Sequence, residues 1–174
     1  QARVIGPRHE EALDSLALKI WLIENARHTV DVTYYIFKND LVGYAVLGAL
    51  CNAVKRGVDV RILLPDNPDH LMVYLASFYY MKLTGAQGIR FYRYTEGFMH
   101  QKAFLIDDFG VAIGTANLDN RSFRLNFEIT LLSVNYDLAA EVEAMFERDF
   151  ANSRQVSHHE IDDRNVFFKL GAAG

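Results

Sequence analysis

The sequence predicts an α/β fold: a mixed β-sheet with helices on both faces. Three observations carry that expectation. Up to residue 94, β-branched and aromatic runs alternate with segments whose apolar residues recur at helical spacing, the pattern of strands joined by helical crossovers. Beyond residue 94, two apolar runs flank Asp108-Phe109, which is the pattern of a β-hairpin and of antiparallel strands. The chain has 174 residues, 51% of them hydrophobic and 23% charged, which suits one sizeable core and is too little for two.

Arg3-Val4-Ile5 reads as a short strand closed by Gly6-Pro7. Residues 10–26 place Leu13, Leu16, Ala17, Ile20 and Ile23 at helical spacing. TVDVTYYIF (29–37) is β-branched and aromatic, hence a strand. Asn39-Asp40 is placed to cap a helix from 41 to about 56, which Gly57 ends. VDVRILL (58–64) is a strand stopped by Pro65. Asp69 is placed to cap an apolar helix over 70–84, ended by Gly85, and GIRFYRY (88–94) is the next strand. KAFLID and GVAIGT form the hairpin, and NFEITLLSV (126–134) follows as a strand beside it. The last helix covers 136–151, with Leu138, Val142, Met145, Phe146 and Phe150 on one side. Residues 1–155 are expected to form the domain and 156–174 a polar C-terminal tail. The closing NVFFKLGAAG begins as an amphipathic segment and stops, which suits a natural tail or a truncated one.

Net charge is −4 and the pI about 5.8, so the whole-chain balance argues against a nucleic acid partner, although a local basic patch is compatible with it. One cysteine, Cys51, excludes an internal disulfide framework; its apolar surroundings suit a buried thiol. The start of the chain has no secretory signal pattern. The longest nearly apolar run, LMVYLASFYYMKL (71–83), is shorter than the ~20 residues that a membrane-spanning helix takes.

The chemistry gathers in FMHQKAFLIDD (98–108) and the GTAN that follows. In a strand, residues two apart share a face at about 7 Å, so His100, Lys102 and Phe104 would lie together. A phosphate fits between such a pair, with the ammonium on its oxygens and the imidazole facing phosphorus. The hairpin returns to Gly114-Thr115-Ala116-Asn117. The glycine would admit a ligand close to the backbone, and the Thr115 hydroxyl and Asn117 amide are neutral donors for phosphate oxygens. In NFEITLL, Glu128 falls in a stretch expected deep in the sheet. A buried carboxylate needs a partner, and His100 is the obvious one: a carboxylate on one ring nitrogen leaves the other free to attack.

The spacing His100-x-Lys102-x4-Asp107-x6-Gly114-Thr115-x-Asn117 resembles the HKD motif of the phospholipase D superfamily. RGVDVRILLP, DHLMVYLAS, YRYTEGFMHQK and GTANLDNRSFRLNFE together resemble bacterial cardiolipin synthases, over roughly residues 10–155. The fold implied is a phospholipase D-like half. The resemblance implies that His100 is a nucleophile forming a phosphohistidine, that Lys102 and Asn117 hold phosphate oxygens with Thr115 assisting, and that Glu128 orients His100. Asp107 is counted with the catalytic motif, its part being to hold the turn and the local hydrogen bonds. No metal and no cofactor are implied. The implied substrate is phosphatidylglycerol, met at the membrane surface by a soluble chain attached peripherally to the bacterial cytoplasmic membrane. With water as acceptor the activity would be that of a phospholipase D.

Enzymes of this type carry two HKD motifs and this chain has one. The second histidine must come from a homodimer partner or a complementary HKD half. DVTYYIFKNDLVG resembles the opening of the first half of a cardiolipin synthase and the motif region the second half, which suits a natural single-motif form or a shortened or recombined chain. Two rival readings stand beside phosphatidyl transfer. One is a single-motif homodimeric phosphodiesterase or endonuclease, and the other is an inactive isolated half.

Several further residues invite a functional and a plainer reading. Arg121 and Arg124 flank the motif and are candidate headgroup-binding residues; the plainer reading pairs them with Asp119 or Asp149 at the surface. Tyr94, Glu96 and Phe98 either line the mouth of the site or are simple packing or loop surface. The aromatic helix 70–84 reads as core, its alternative being a lipid-facing lip. HHEIDDR (158–164) mimics a metal cluster and reads better as a solvated tail.

Overall fold

The computed structural model describes residues 2–5, 9–35, 40–66, 71–124, 128–157 and 159. The elements are, in order, β1 (Ala2–Ile5), α1 (His9–Asn25), β2 (Thr29–Tyr34), α2 (Leu41–Lys55), β3 (Asp59–Pro65), α3 (Leu71–Gly85), β4 (Arg90–Tyr94), β5 (Lys102–Ile106), β6 (Gly110–Gly114), α4 (Asn120–Arg124), β7 (Thr130–Val134), α5 (Tyr136–Ala151) and β8 (Ser153–Val156). The strands form one eight-stranded sheet in the order β1-β7-β6-β5-β2-β3-β4-β8. β2, β3 and β4 are parallel neighbours, and every other pairing is antiparallel.

Both faces are covered, as the sequence predicts. Ile23 of α1, Val46 and Leu50 of α2, and Tyr80 and Met81 of α3 pack with Val30, Val32, Ile62, Phe91 and Phe104 of the sheet. On the opposite face Val142, Phe146 and Phe150 of α5 pack on Leu63, Ala103, Leu105 and Val111. The central strands are apolar on both sides because both sides are buried. Cys51 lies in the first of these cores, where burial pushes its thiol pKa up and keeps it unreactive.

Some boundaries and faces differ from the sequence reading. In α1 the buried side carries Ser15, Lys19 and Ile23, while Leu13 is exposed, so the stripe is rotated from the one predicted. α3 buries Leu75, Phe78, Tyr80 and Met81 but exposes Tyr79 and Leu83, so it is not core all round. The predicted strand at 126–134 begins only at Thr130. The Ile129 amide donates to the Thr115 hydroxyl instead of to a strand carbonyl, and the ladder stops there. Asn126 and Phe127 lie outside the described residues, as do Ile36 and Phe37 of the predicted β2, the Asn39 and Asp69 caps, and most of HHEIDDR. α4 is too short to show a period, and β8 is a polar edge strand with no apolar alternation to announce it. β8 ends at Val156, one residue inside the predicted tail. Among the described residues no helix is long and apolar enough to cross a membrane.

Two aspartates tie the frame together. Asp40 caps α2 through the Val42 and Gly43 amides and also accepts the Asn120 amide at the start of α4. Asp107, at φ 49° in the β5–β6 turn, accepts the backbone amides of Arg27, His28 and Thr29. These bonds hold its carboxyl below the usual carboxylate range, although its partial burial works the other way. The turn is thereby fixed to the α1–β2 connection. We expect Asp107→Ala to destabilise the chain by roughly 3 kcal/mol, since three amides lose a charged acceptor. Urea unfolding should show a lower midpoint at unchanged slope, with Asp107→Asn intermediate.

Candidate functional site

The parallel strands β2, β3 and β4 all end at one edge of the sheet. β5 is antiparallel to β2 and so begins there, β6 returns there, and β7 leaves from there. Tyr34 pairs with Lys102, and Gly114 pairs with Thr130. Ligands of open α/β sheets sit at this carboxyl edge, and the motif residues other than Asp107 converge on it.

His100 is not a strand residue, contrary to the sequence reading. Pairing with β2 stops at Lys102, so His100 projects from the irregular segment before β5 and is exposed, while Lys102 is buried. The two are nevertheless closer than a shared strand face would make them. Lys102 Nζ lies 2.9 Å from both ring nitrogens and 2.9 Å from the His100 carbonyl oxygen. The ring stacks on Phe98 at 5.8 Å and 12° and packs against Tyr35 at 4.6 Å. Lys102 Nζ also lies 5.5 Å from the Tyr35 ring centroid, within cation–π range. Phe98, 60% exposed, is a surface residue beside His100. Tyr35 escaped notice because the aromatic doublet Tyr34-Tyr35 reads as strand filler.

Burial lowers the Lys102 amine to about 8, against a partial upward pull from the Glu128 carboxylate. Glu128 is half-buried in the segment before β7 rather than deep in the sheet. It accepts the Thr115 hydroxyl, which in turn accepts the Ile129 amide. Thr115 has one proton, and it is engaged with Glu128, which puts the hydroxyl in a carboxylate network. Gly114 also differs from expectation. A Cβ there would lie 2.3 Å from the Ile129 carbonyl oxygen, so the glycine admits the neighbouring backbone, not a ligand. Asn117 is half-buried; its backbone amide donates to Ser122 Oγ at 3.1 Å, and its Oδ1 is buried with no partner among the described residues.

Asp107 is set apart from this group. It is seven positions beyond His100, about 20 Å along an extended chain, at the other end of β5. Its carboxylate holds the turn through the amides of Arg27, His28 and Thr29. Arg121 is exposed on α4 and forms no ion pair with a described residue; Asp119 instead caps α4 through the Ser122 amide. The Arg124 side chain lies outside the described residues. Tyr94 packs against the α5-side core, and Glu96 is exposed. Lys19 was missed altogether. It sits on the buried face of α1, and its Nζ donates to Thr130 Oγ1 at 3.2 Å. The available signal was a lysine at helical spacing between Leu16 and Ile23. No cluster of His, Cys, Asp and Glu able to hold a metal occurs among the described residues.

This geometry offers an exposed imidazole with an ammonium against it, a carboxylate network behind, and aromatic walls. The electrostatics are also measurable. Burial lowers Lys19, like Lys102, to about 8, with Glu128 opposing. In the unfolded chain such amines keep their protons to about 10.4. Between these values the unfolded chain binds more protons, so stability should rise with pH from about 8 to about 10. Circular-dichroism melts at constant ionic strength should show this rise, and Lys19→Met should flatten it.

A family model described as "Cardiolipin synthase, PLD-like domain" matches residues 20–150. Cardiolipin synthase A of Pseudomonas putida is 44% identical over 171 residues, covering 98% of this chain and 35% of the relative. Cardiolipin synthase A of Pseudomonas fluorescens is 54% identical over 127 residues, covering 73% of this chain and 26% of the relative. The chain thus spans about a third of the length of the P. putida relative. A single match carries both the β2–α2 segment and the motif region, which corrects the reading that they resemble different halves. In fold, the chain is similar to Nuc, a phospholipase D family member from Salmonella typhimurium, with a TM-score of 0.76 at 21% identity over 90% of this chain and 98% of Nuc. It is also similar to phosphatidylserine synthase of Haemophilus influenzae, with a TM-score of 0.69 at 15% identity over 97% of this chain and 44% of that one. With most of its length matched by that model, and with the motif residues His100, Lys102, Thr115 and Asn117 on one sheet edge, the chain belongs to the cardiolipin synthase, PLD-like domain family of the phospholipase D superfamily.

Proposed function

We propose that the chain supplies one half of a phosphatidyl-transfer centre of the cardiolipin synthase type, acting on phosphatidylglycerol at a membrane surface. The observation that carries this reading is the His100–Lys102 contact at the carboxyl edge of the sheet. An imidazole nitrogen that accepts from an ammonium carries no proton, which is the state a nucleophile requires.

In the first step that nitrogen attacks phosphorus and the bond to the glycerol oxygen breaks. Glycerol leaves with a proton, and a phosphatidyl-histidine remains. In the second step the hydroxyl of another phosphatidylglycerol gives up its proton and attacks phosphorus, freeing His100 and forming cardiolipin. Water in place of that hydroxyl gives phosphatidic acid. Lys102 leaves the ring for the phosphate oxygens as charge builds on them, joined by the Asn117 amide. Glu128, held by Thr115, orients the imidazole. Phe98 and Ile129, both largely exposed beside the site, suit the approach of a lipid substrate.

The leaving alkoxide needs a proton donor, and general acid help is worth roughly 10²–10⁴ in rate. This half has one motif histidine, so the donor is the matching histidine of a second copy or of a complementary half. The test is incubation with phosphatidylglycerol vesicles over a wide range of protein concentration, following cardiolipin, phosphatidic acid and glycerol. The expected result is turnover that rises faster than linearly with concentration and falls at least ~10²-fold in His100→Ala. Linear turnover would mean that one chain holds a complete site. Cleavage of a soluble phosphodiester with no action on lipid would replace the lipid reading with a general phosphodiesterase one. An inert chain at every concentration would leave an isolated half.

A further inference from the structure

The polar tether of His100 and the amine that would take a phosphate are the same group. Lys102 Nζ lies 2.9 Å from the ring nitrogens and 2.9 Å from the His100 carbonyl oxygen, yet an arriving anion would draw that ammonium to its own oxygens. Something other than Lys102 must then keep the imidazole aimed. His100 is exposed and precedes β5, so neither burial nor strand pairing fixes it. Two aromatic rings touch it. Phe98 stacks on the imidazole at 5.8 Å and 12°, and Tyr35 meets it at 4.6 Å and 58°. These two rings also meet each other edge-on at 5.6 Å, so the three form one cluster. They differ in how firmly the fold holds them. Phe98 is largely exposed and belongs to the same irregular segment as His100. Tyr35 is 8% exposed and directly follows β2, whose last residue, Tyr34, pairs with Lys102. Lys102 Nζ lies 5.5 Å from the Tyr35 ring centroid, so the imidazole and the ammonium meet the same ring.

We propose that Tyr35 is a positioning residue of this centre: its ring, fixed at the end of β2, keeps the His100 imidazole in place when Lys102 turns to a phosphate. An exposed side chain regains rotamer freedom when its polar tether leaves, and that freedom must be lost again before the ring can attack. Contact with a buried ring survives the exchange, because an anion does not compete for an aromatic surface as it does for an ammonium. Phe98 shares the segment of His100, so it steadies the imidazole without referring it to the sheet. Tyr35 does refer it to the sheet, and by facing Lys102 as well it sets the spacing between the imidazole and the amine. The role belongs to the ring of Tyr35 and not to its hydroxyl. The catalytic use of the pose rests on the phosphoryl-transfer reading; the pose itself does not.

The test reads the imidazole directly. In the full chain, the side-chain order of His100 is followed by NMR, from three-bond couplings and ring-carbon relaxation, in the wild type, Tyr35→Phe, Tyr35→Leu and Lys102→Met. Tyr35→Phe and Lys102→Met should keep one ordered His100 rotamer, whereas Tyr35→Leu should let it average. Averaging in Lys102→Met would mean that the amine alone holds the ring and would overturn the proposal. An ordered imidazole in a folded Tyr35→Leu chain would overturn it equally. Should Tyr35→Leu not fold, the double variant Phe98→Leu/Lys102→Met takes its place: it leaves Tyr35 against His100, an ordered rotamer there supports the proposal, and averaging sinks it. In turnover of phosphatidylglycerol, Tyr35→Leu should lower kcat at least about tenfold at little-changed KM, and Tyr35→Phe should recover most of that loss. An unchanged kcat would overturn the catalytic use of the pose. A chain inert toward lipid can still show the ordered ring, and an active one can lack it, so the two readings fail separately.

Discussion

The constraint from which the site follows is a lysine ammonium buried at the first residue of a central strand. Lys102 is 5% exposed, and an ammonium in that position must find acceptors or lose its proton. The structure supplies them from the segment just before it, through the His100 carbonyl and one ring nitrogen, and adds the Tyr35 ring and the nearby Glu128 charge. That demand draws the imidazole into a fixed pose over the end of the sheet. On the proposed reading a phosphate would compete with these partners: a bound anion would offer the ammonium better oxygens than an imidazole does, and its arrival would release the ring to attack.

The rest of the fold delivers the ends of its strands to one level. Antiparallel pairing of β5, β6 and β7 brings Lys102, Gly114 and Thr130 into adjacent register, and parallel β2 contributes Tyr34 and Tyr35. Holding that level requires the opposite end of the sheet not to slip. Asp107 does this by taking three amides of the α1–β2 connection onto one carboxylate. A residue at the far end of β5 can thus belong to the same sequence motif and yet be tied to the site through the register of that strand. Asp40 plays the matching part at the active edge, joining the starts of α2 and α4.

Much of this was legible in the sequence, for identifiable reasons. The alternation of strands and helices is written in hydrophobic period, and the hairpin and motif spacing lie within one short stretch. What escaped has no local signature. Lys19 and Thr130 are distant in sequence and meet only once α1 lies across the sheet. Thr115 meets Glu128 thirteen positions along the chain, a contact that no local pattern announces. The strand expected at Glu128 gave way because a hydroxyl took the place of a ladder acceptor, a choice made by tertiary contact rather than by β-propensity. His100 lies outside the strand because, among the described residues, pairing with β2 ends at Tyr34 and Lys102.

Exposure separates the members of the site in a way that bears on its use. Lys102 and Lys19 are buried, Glu128 is half-buried, and His100 with Phe98 stands open. Two ammonium groups therefore lie beneath while the imidazole stands open at the surface. An open imidazole cannot exclude water by itself, and transfer to an alcohol in preference to water needs the site to be covered. On the proposed reading, the missing acid and the missing cover are one requirement. Whatever brings the second histidine against this edge also closes it over Phe98 and Ile129, and the choice between alcohol and water as acceptor is made by that surface as much as by His100.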